Sequence, residues 1–434
     1  MSMMDLDLLG VGFGPANLAV AVAMAETPAA RKLNFRFLER QNEFRWHPDM
    51  MVEGSTVQIS FLKDLATLRD PSSRFTFVNY LHAKKRLEAF INLGQSHPTR
   101  AEFNDYFRWA ASAFKDQVSY GQTVQRIEPV RRQGRVSQLR VTSHGADGAV
   151  RAFTTRDLVV AVGGRPNFPV PFAALGRERV VHTSGYLAAA QRLIAAHDRP
   201  TRVAVIGGGQ SGAEVFYDVA TRFPHAEVTL VLRDHALRPA DDSPFVNEVF
   251  DPSFVDVLHG LPIERRRSLL DSMRNTNYSV VNLDLIERIY ALLYRQQVDG
   301  NERHRLLAGH VVESASEGEK IDLALRDTVS GEAALHRFDL VMLATGYRYD
   351  AHQRLLEGLA DDLDGFEVDR FYRLKTPPSY SSRIYLLGCN EDTHGLSDTL
   401  LSILPRRAGE MVEDMIGEYV LEKPMPSMVS SMNR

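Results

Sequence analysis

Two glycine clusters carry the clearest chemistry in this sequence. Gly10-Val11-Gly12-Phe13-Gly14-Pro15 follows the β-prone Leu6-Asp7-Leu8-Leu9 and opens an apolar helical run over 17–24. Far along the chain, Gly207-Gly208-Gly209-Gln210-Ser211-Gly212 follows Arg202-Val203-Ala204-Val205-Ile206 and opens a second helical run over 213–219. In such a turn the first glycine permits the sharp bend, the second lets backbone approach a pyrophosphate, and the helix N-terminus aims free N–H groups at it. One glycine motif alone is weak. Two, each between a strand and a helix, predict dinucleotide sites. Pro15 stands where a third glycine is usual, and proline is welcome in a first helical turn because it has no N–H to leave unpaired.

The residue that ends the following strand separates the two ligands. Asn34-Phe35-Arg36-Phe37-Leu38 runs into Glu39, a carboxylate that can accept from ribose hydroxyls and repels a 2′-phosphate. Glu227-Val228-Thr229-Leu230-Val231-Leu232 runs into Arg233, which can pair with that phosphate. The alternative for Arg233 is a solvated arginine beside Asp234. Gly10, Gly12, Gly14, Pro15 and Glu39 are therefore assigned to an FAD-type site, a glutamate there suiting FAD or NAD. Gly207, Gly209, Gln210, Ser211 and Arg233 are assigned to NADPH. Such a chain passes hydride from nicotinamide to flavin. Cys389 is the only cysteine, so a dithiol acceptor is excluded. A protein acceptor, a quinone or dioxygen remains.

Asp339, Leu343, Ala344-Thr345-Gly346-Tyr347 and His352 fill every fixed position of a pattern, D-x-x-x-[L/F]-A-T-G-Y-x-x-x-x-[H/P]. That pattern resembles the signature of the microbial N-hydroxylating flavoprotein monooxygenases. Further blocks at 44–47, 58–65, 241–250, 275–281 and 394–402 are similar to the L-ornithine branch of that family, the pyoverdine type in particular. The resemblance implies that NADPH reduces FAD and that dioxygen adds to give a C4a-hydroperoxyflavin. The distal oxygen would then pass to the side-chain amine of L-ornithine, giving N(5)-hydroxyornithine for hydroxamate siderophores.

It also implies roles for individual residues. Lys63 would pair with the substrate carboxylate, with Asn247 and Asn277 completing the head-group site. Gln58 would bind FAD near isoalloxazine and nicotinamide, and Gln58 and Asn277 would be the catalytic residues. Trp46 and His47 would contact the flavin, and Ser402 would sit in the stretch closing over it. Ala344, Thr345, Gly346 and Tyr347 would belong to the NADPH side. Plainer readings exist for four of these: a surface Lys63 paired with Asp64, Asn247 and Asn277 as turn residues, and a Trp46 that packs in a core. Lysine or a diamine is the rival substrate, and a flavoprotein reductase serving a protein partner is the rival class.

Strand-like runs at 157–164 and 339–347 close on glycine and read as buried parallel strands that bring backbone to a cofactor. Between 239 and 301 the strand–helix alternation lapses, and 263–273 and 284–297 read as amphipathic helices. The stretch from Thr399 reads as an apolar helix start that returns to the first unit. The expected architecture is α/β, with two Rossmann-like dinucleotide-binding domains and a small, mainly helical insert. FAD-binding parts are expected at 1–161 and 350–434, NADPH-binding parts at 162–233 and 306–349, and the substrate insert at 234–305.

The 434 residues are 44 % hydrophobic and 24 % charged, which suits several globular units and excludes a disordered polymer. A formal net charge of −4 supplies no basic field for nucleic acid. No apolar stretch approaches the ~20 residues of a spanning helix. The opening residues, with Asp5 and Asp7, lack a basic region, so a cytoplasmic protein is expected. His82, His97, His197 and His225 show no metal-ligand spacing, and no metal is expected. Small-molecule partners are expected, and a homo-oligomer is compatible with the sequence.

Overall fold

The computed structural model describes residues 4–195 and 200–417, so His197 lies outside the described residues. β1 (Met4–Val11) leads through the first glycine turn into α1 (Pro15–Glu26), then β2 (Phe35–Leu38). α2 (Arg100–Ala111) follows, N-capped by Thr99, which accepts from the Glu102 N–H. β3 (Val118–Ser119), β4 (Gln122–Arg132), β5 (Arg135–Gly145) and β6 (Val150–Val160) complete a sheet in the order β3-β2-β1-β6-β5-β4. Its β1, β2, β3 and β6 pairings are parallel, as is the late strand Arg383–Leu386 on β6, while β4 to β6 form an antiparallel meander.

The second sheet is wholly parallel. β7 (Val180–His182), β8 (Thr201–Ile206), β9 (Ala226–Val231), β10 (Arg305–Leu307) and a strand at Leu340–Leu343 lie in the order β10-β9-β8-Leu340–Leu343-β7. α3 (Gln210–Arg222) follows its glycine turn. A three-stranded antiparallel sheet, His310–Glu317, Ile321–Asp327 and Ala333–Phe338, covers one face, sharing a core in which Leu323, Leu325 and Phe338 meet Ala204, Val231 and Val341. The expected fold of two glycine-turn α/β units is present.

Between β9 and β10 in the chain lie α4 (Pro252–His259), α5 (Ile263–Ser272) and α6 (Leu283–Val298). α6 buries Leu285 and Ile289 in the core that holds Val215 and Val219 of α3. Met50 and Val52, from the first unit, enter the same core. The second unit therefore packs on more than its own residues.

One expectation is corrected. No α-helix begins at Thr399: residues Leu396–Thr399 form a 3-10 turn and the α-helix spans Leu404–Ile416. Pro405 explains the shift, because inside a helix begun earlier it would lack a donor and clash with the preceding turn, whereas in the first turn it costs nothing. Among the described residues no helix is long and apolar enough to cross a membrane.

Candidate functional site

The first glycine turn and its acid are joined directly. Glu39, buried at the end of β2, accepts from the Phe13 N–H at 2.7 Å and from the Gln41 N–H at 2.8 Å. Phe13 lies inside the turn, so the carboxylate is held beside it with lone pairs left over. Gly12 has φ +85, and a Cβ there would come within 2.5 Å of the Ala161 carbonyl oxygen. Gly10 is needed for a different reason, since a Cβ would strike the Phe37 ring. Gly14, at the N-cap of α1, has nothing within 4 Å of where its Cβ would be. Pro15 occupies the first turn as expected. An open N-cap at a helix N-terminus and a backed acceptor acid are the space and groups that a dinucleotide such as FAD needs.

The second turn repeats this design. Gly207 has φ +129, and a Cβ would collide with the Ala344 carbonyl, so the second motif and the Ala344-Thr345-Gly346-Tyr347 segment touch backbone to backbone. Gly209 is the N-cap of α3, Gln210 and Ser211 being its first residues. A Cβ on Gly209 would lie 3.7 Å from Ser279, which brings the helical insert over this turn. Arg233 is exposed, two residues beyond β9. Asp234 does not hold it, for that carboxylate is engaged by Arg238 at 2.5 and 3.1 Å. An exposed arginine and a free helix N-terminus fit a 2′-phosphorylated dinucleotide. Thr345 faces elsewhere: its hydroxyl donates to the Asn167 carbonyl at 2.6 Å and clasps two loops.

The two units meet through rings. His47 lies 5.8 Å from Tyr347 between ring centroids, and Tyr347 lies 5.0 Å from His182. Gly164 makes room for Tyr347, since a Cβ there would come within 2.7 Å of it. His47 has φ +46 and is exposed, yet desolvation, with the charges of Arg100 and then His182, pushes its pKa down to about 4. His47 thus borders solvent at the junction of the two units while the surrounding protein and the Arg100 charge favour its neutral imidazole at pH 7. Trp46 is half-buried against Phe103 and Phe107, so it does pack in the core as well as border His47.

A polar chain runs along the same junction. Gln58 Nε2 donates to Asn282 Oδ1 at 2.8 Å, and the Asn282 N–H donates to Gln210 Oε1 at 2.8 Å. Gln210 Nε2 donates to Glu214 Oε1 at 2.9 Å, and Glu214 takes both terminal nitrogens of Arg100, at 2.7 and 2.8 Å. Gln58 and Gln210, assigned to different cofactors, are thus linked through one asparagine. Arg100, Glu214 and Asn282 were not foreseen. A glutamate between Ala213 and Val215 on a buried helix face was the one available signal, because a buried carboxylate requires a partner.

The proposed substrate residues are less connected. Lys63 is half-buried and makes no ion pair among the described residues, and its chain neighbour Asp64 is occupied by other donors. Asn247 Nδ2 donates to the Asp242 carbonyl at 2.8 Å. Asn277 is half-buried, and its neighbour Tyr278 donates to Glu391, which follows the strand Arg383–Leu386 of the first sheet. No hydrogen bond joins Lys63 to Asn247 or Asn277 among the described residues. Ser402 is buried, four residues after Asp398, which accepts from Arg407 at 2.7 Å and from the Asn390 N–H at 2.6 Å. That carboxylate ties both ends of the 390–398 loop.

The family described as L-lysine 6-monooxygenase/L-ornithine 5-monooxygenase matches residues 4–349. The chain belongs to this family. It is 54 % identical over 398 residues to an L-ornithine N(5)-monooxygenase of Burkholderia cepacia, covering 90 % of this chain and 89 % of the relative. The ornithine hydroxylase PvdA from Pseudomonas aeruginosa superposes with a TM-score of 0.91 at 48 % identity, over 96 % of this chain and 100 % of that one. The ornithine N-hydroxylase of Kutzneria sp. 744, solved with reduced FAD, NADP⁺ and L-ornithine, gives 0.90 at 36 % identity, over 95 % and 99 %. Family members are thus similar to this chain across both glycine-turn units and the insert between them.

Proposed function

We propose that this protein hydroxylates the side-chain amine of L-ornithine with dioxygen, using FAD and NADPH, and releases N(5)-hydroxyornithine, a hydroxamate precursor. The observation that carries the reading is whole-length similarity to ornithine hydroxylases, joined to two glycine turns whose strand-end charges are opposite. Bound FAD, once reduced by NADPH, supplies the oxygen-activating chemistry. Everything else falls to side chains that bind, orient and exclude water.

In this reading Gly10, Gly12, Gly14, Pro15 and Glu39 hold the adenosine and pyrophosphate of FAD, while Trp46, His47 and Ser402 border its ring. Gly207, Gly209, Gln210, Ser211 and Arg233 hold NADPH, with Ala344 to Tyr347 forming the floor. Gln58 lies where the two cofactors would meet. Lys63 receives the ornithine carboxylate, and Asn247 and Asn277 offer amide donors and acceptors to its head group. Fixing that end fixes how far the δ-amine reaches toward the flavin. A neutral His47 leaves the junction of the two units without a further positive charge to repel that amine. FAD-binding parts at 1–161 and 350–434, NADPH-binding parts at 162–233 and 306–349, and an insert at 234–305 complete the reading. The span from 418 lies outside the described residues. NADPH dependence fits a cytoplasmic enzyme.

The deciding experiment is mass spectrometry of product from NADPH, dioxygen and a panel of L-ornithine, L-lysine and putrescine. Ornithine should gain one oxygen atom. Preferred oxygenation of lysine or putrescine would overturn the substrate, and rapid NADPH oxidation with dye reduction but no oxygenated amine would favour a reductase.

A further inference from the structure

The chain Gln58–Asn282–Gln210–Glu214–Arg100 begins and ends in the first unit and passes through the N-terminus of α3. Gln210 is the first residue of the helix that closes the second glycine turn. Whatever holds Gln210 therefore holds the phosphate cradle. Asn282 precedes α6 at its N-cap, yet its side chain makes no cap bond. An asparagine there ordinarily accepts from the helix's own N–H groups. Here the side-chain oxygen is spent on Gln58 instead, and the backbone N–H on Gln210.

The other end is stiffer. Glu214 and Arg100 have side-chain exposures of 6 % and 16 %, and their two-point contact fixes angle as well as distance. Arg100 also lies 3.3 Å from the Met50 carbonyl, and Met50 is buried in the core that contains α3 and α6. Two attachments, one neutral and one charged, thus bind the same turn of α3 to separate points on the flavin side. A single contact would leave a hinge. Two remove the rotation.

We propose that Asn282, Gln210 and Glu214 are positioning residues for hydride transfer: they lock the N-terminus of α3 to the flavin-side segments so that a nicotinamide bound there meets the flavin in register. The inference rests on the cofactor assignment of the preceding section. It adds that the register is set by side chains that touch neither reacting ring.

The test compares Asn282→Ala, Asn282→Asp and Glu214→Gln with the parent holoenzyme. Aspartate keeps the acceptor that Gln58 uses, and alanine removes it. Glu214→Gln keeps an oxygen for Gln210 but loses the charge that grips Arg100, so it complements Asn282→Ala if truncation of the ion pair harms folding. Three quantities are read: the anaerobic rate of flavin reduction per bound FAD at saturating NADPH, the primary isotope effect with NADPH deuterated at the transferred position, and hydrogen–deuterium exchange at 210–214 before NADPH is added.

Asn282→Ala should slow reduction by about tenfold or more, raise the isotope effect and speed exchange at 210–214, while Asn282→Asp should stay within about twofold of the parent. A merely structural role would lower the amount of FAD-loaded protein and leave the rate per flavin and the isotope effect unchanged, which overturns the proposal. Parental rates in both Asn282→Ala and Glu214→Gln overturn it too. A parent that NADPH itself does not reduce would overturn the cofactor reading together with this one.

Discussion

Lys63 and Asp64 adjoin in the chain, and their charges do not meet. Asp64 turns inward, 1 % exposed, and accepts from the N–H groups of Ala66, Thr67 and Phe77 at 2.8, 2.7 and 2.7 Å and from the Thr67 hydroxyl at 2.8 Å. Its lone pairs are spent. Lys63, half-buried, keeps an ammonium available to a carboxylate from outside the protein. Lys63→Ala should weaken ornithine binding by about 2–5 kcal/mol, the scale of truncating one partner of a desolvated charged pair. Flavin reduction by NADPH should be nearly unchanged, and putrescine, which has no carboxylate, should be poor with the parent and indifferent to the change. Stopped-flow reduction and steady-state KM values check all three; lost reduction with intact ornithine binding would make Lys63 a cofactor residue.

Asp64 has a different duty, and its removal should be felt in stability. Burial pushes its carboxyl above the usual range, while the backbone donors around it favour the ionised form. Asp64→Ala leaves three amide N–H groups without their acceptor, each costing about 1–3 kcal/mol where water cannot replace it. A loss of about 3 kcal/mol or more in urea unfolding is expected, with Asp64→Asn milder because one oxygen remains.

In the proposed reading Arg233 carries the coenzyme choice. Arg233→Ala should raise KM for NADPH by about 2 kcal/mol, within the range for hydrogen bonds to a charged group, and leave KM for NADH almost unchanged. Equal losses with both coenzymes would remove the 2′-phosphate assignment. Arg238, already bonded to Asp234, should not substitute for it.

What could be seen in the sequence followed from chemistry with a local signature. A glycine turn needs its glycines within a few residues, and Glu39 and Arg233 declare themselves by charge at a strand end. The β4–β5 hairpin was not legible, because register shifts at Val124/Arg126 and Val130/Arg131 break the alternation by which a half-buried strand is recognised. The His310–Glu317 strand is obscured in the same way, by a shift at Val312/Ser314. Arg100 and Glu214 are 114 residues apart, and no local pattern pairs them. Nor could the sequence say that Asp64 would turn away from Lys63.

Two buried histidines predict the acid limb of stability. Desolvation pushes both His394 and His304 down to about 4. His394 lies with its ring 4.1 Å from that of Tyr372, and His304 accepts the Val228 N–H at 3.3 Å through Nδ1, a bond protonation would destroy. In the unfolded chain a histidine titrates near 6.5. The folded state therefore binds fewer protons between pH 6.5 and 4. Stability is complete above 6.5 and is lost as pH falls through that window, by about 2 kcal/mol per histidine at pH 5. Urea midpoints at pH 7 and pH 5 check it. His394→Gln should flatten the dependence, and an unchanged slope would contradict the assignment.

Neighbouring glycines in one turn should fail in opposite ways. Gly12 lies in the left-handed region at φ +85, and a Cβ there would press to 2.5 Å from the Ala161 carbonyl, a rigid atom at the end of β6. Gly14 has ordinary φ, −83, and no protein atom within 4 Å of the same position. Gly12→Ala therefore strains the protein itself, through both dihedral and clash, and should cost about 1–3 kcal/mol in the apoprotein. Gly14→Ala should leave the apoprotein as stable as the parent, because the added methyl enters space that only a ligand would use. It should instead weaken FAD, since a methyl at the N-cap holds the pyrophosphate away from the amides that bind it, and about 1–2 kcal/mol of charge-assisted hydrogen bonding is at stake. Thermal unfolding of the apoproteins and FAD titration separate the two outcomes. A Gly14→Ala protein that binds FAD as tightly as the parent would show that the pyrophosphate does not lie against this N-cap, and the first cofactor would have to be placed elsewhere on the sheet.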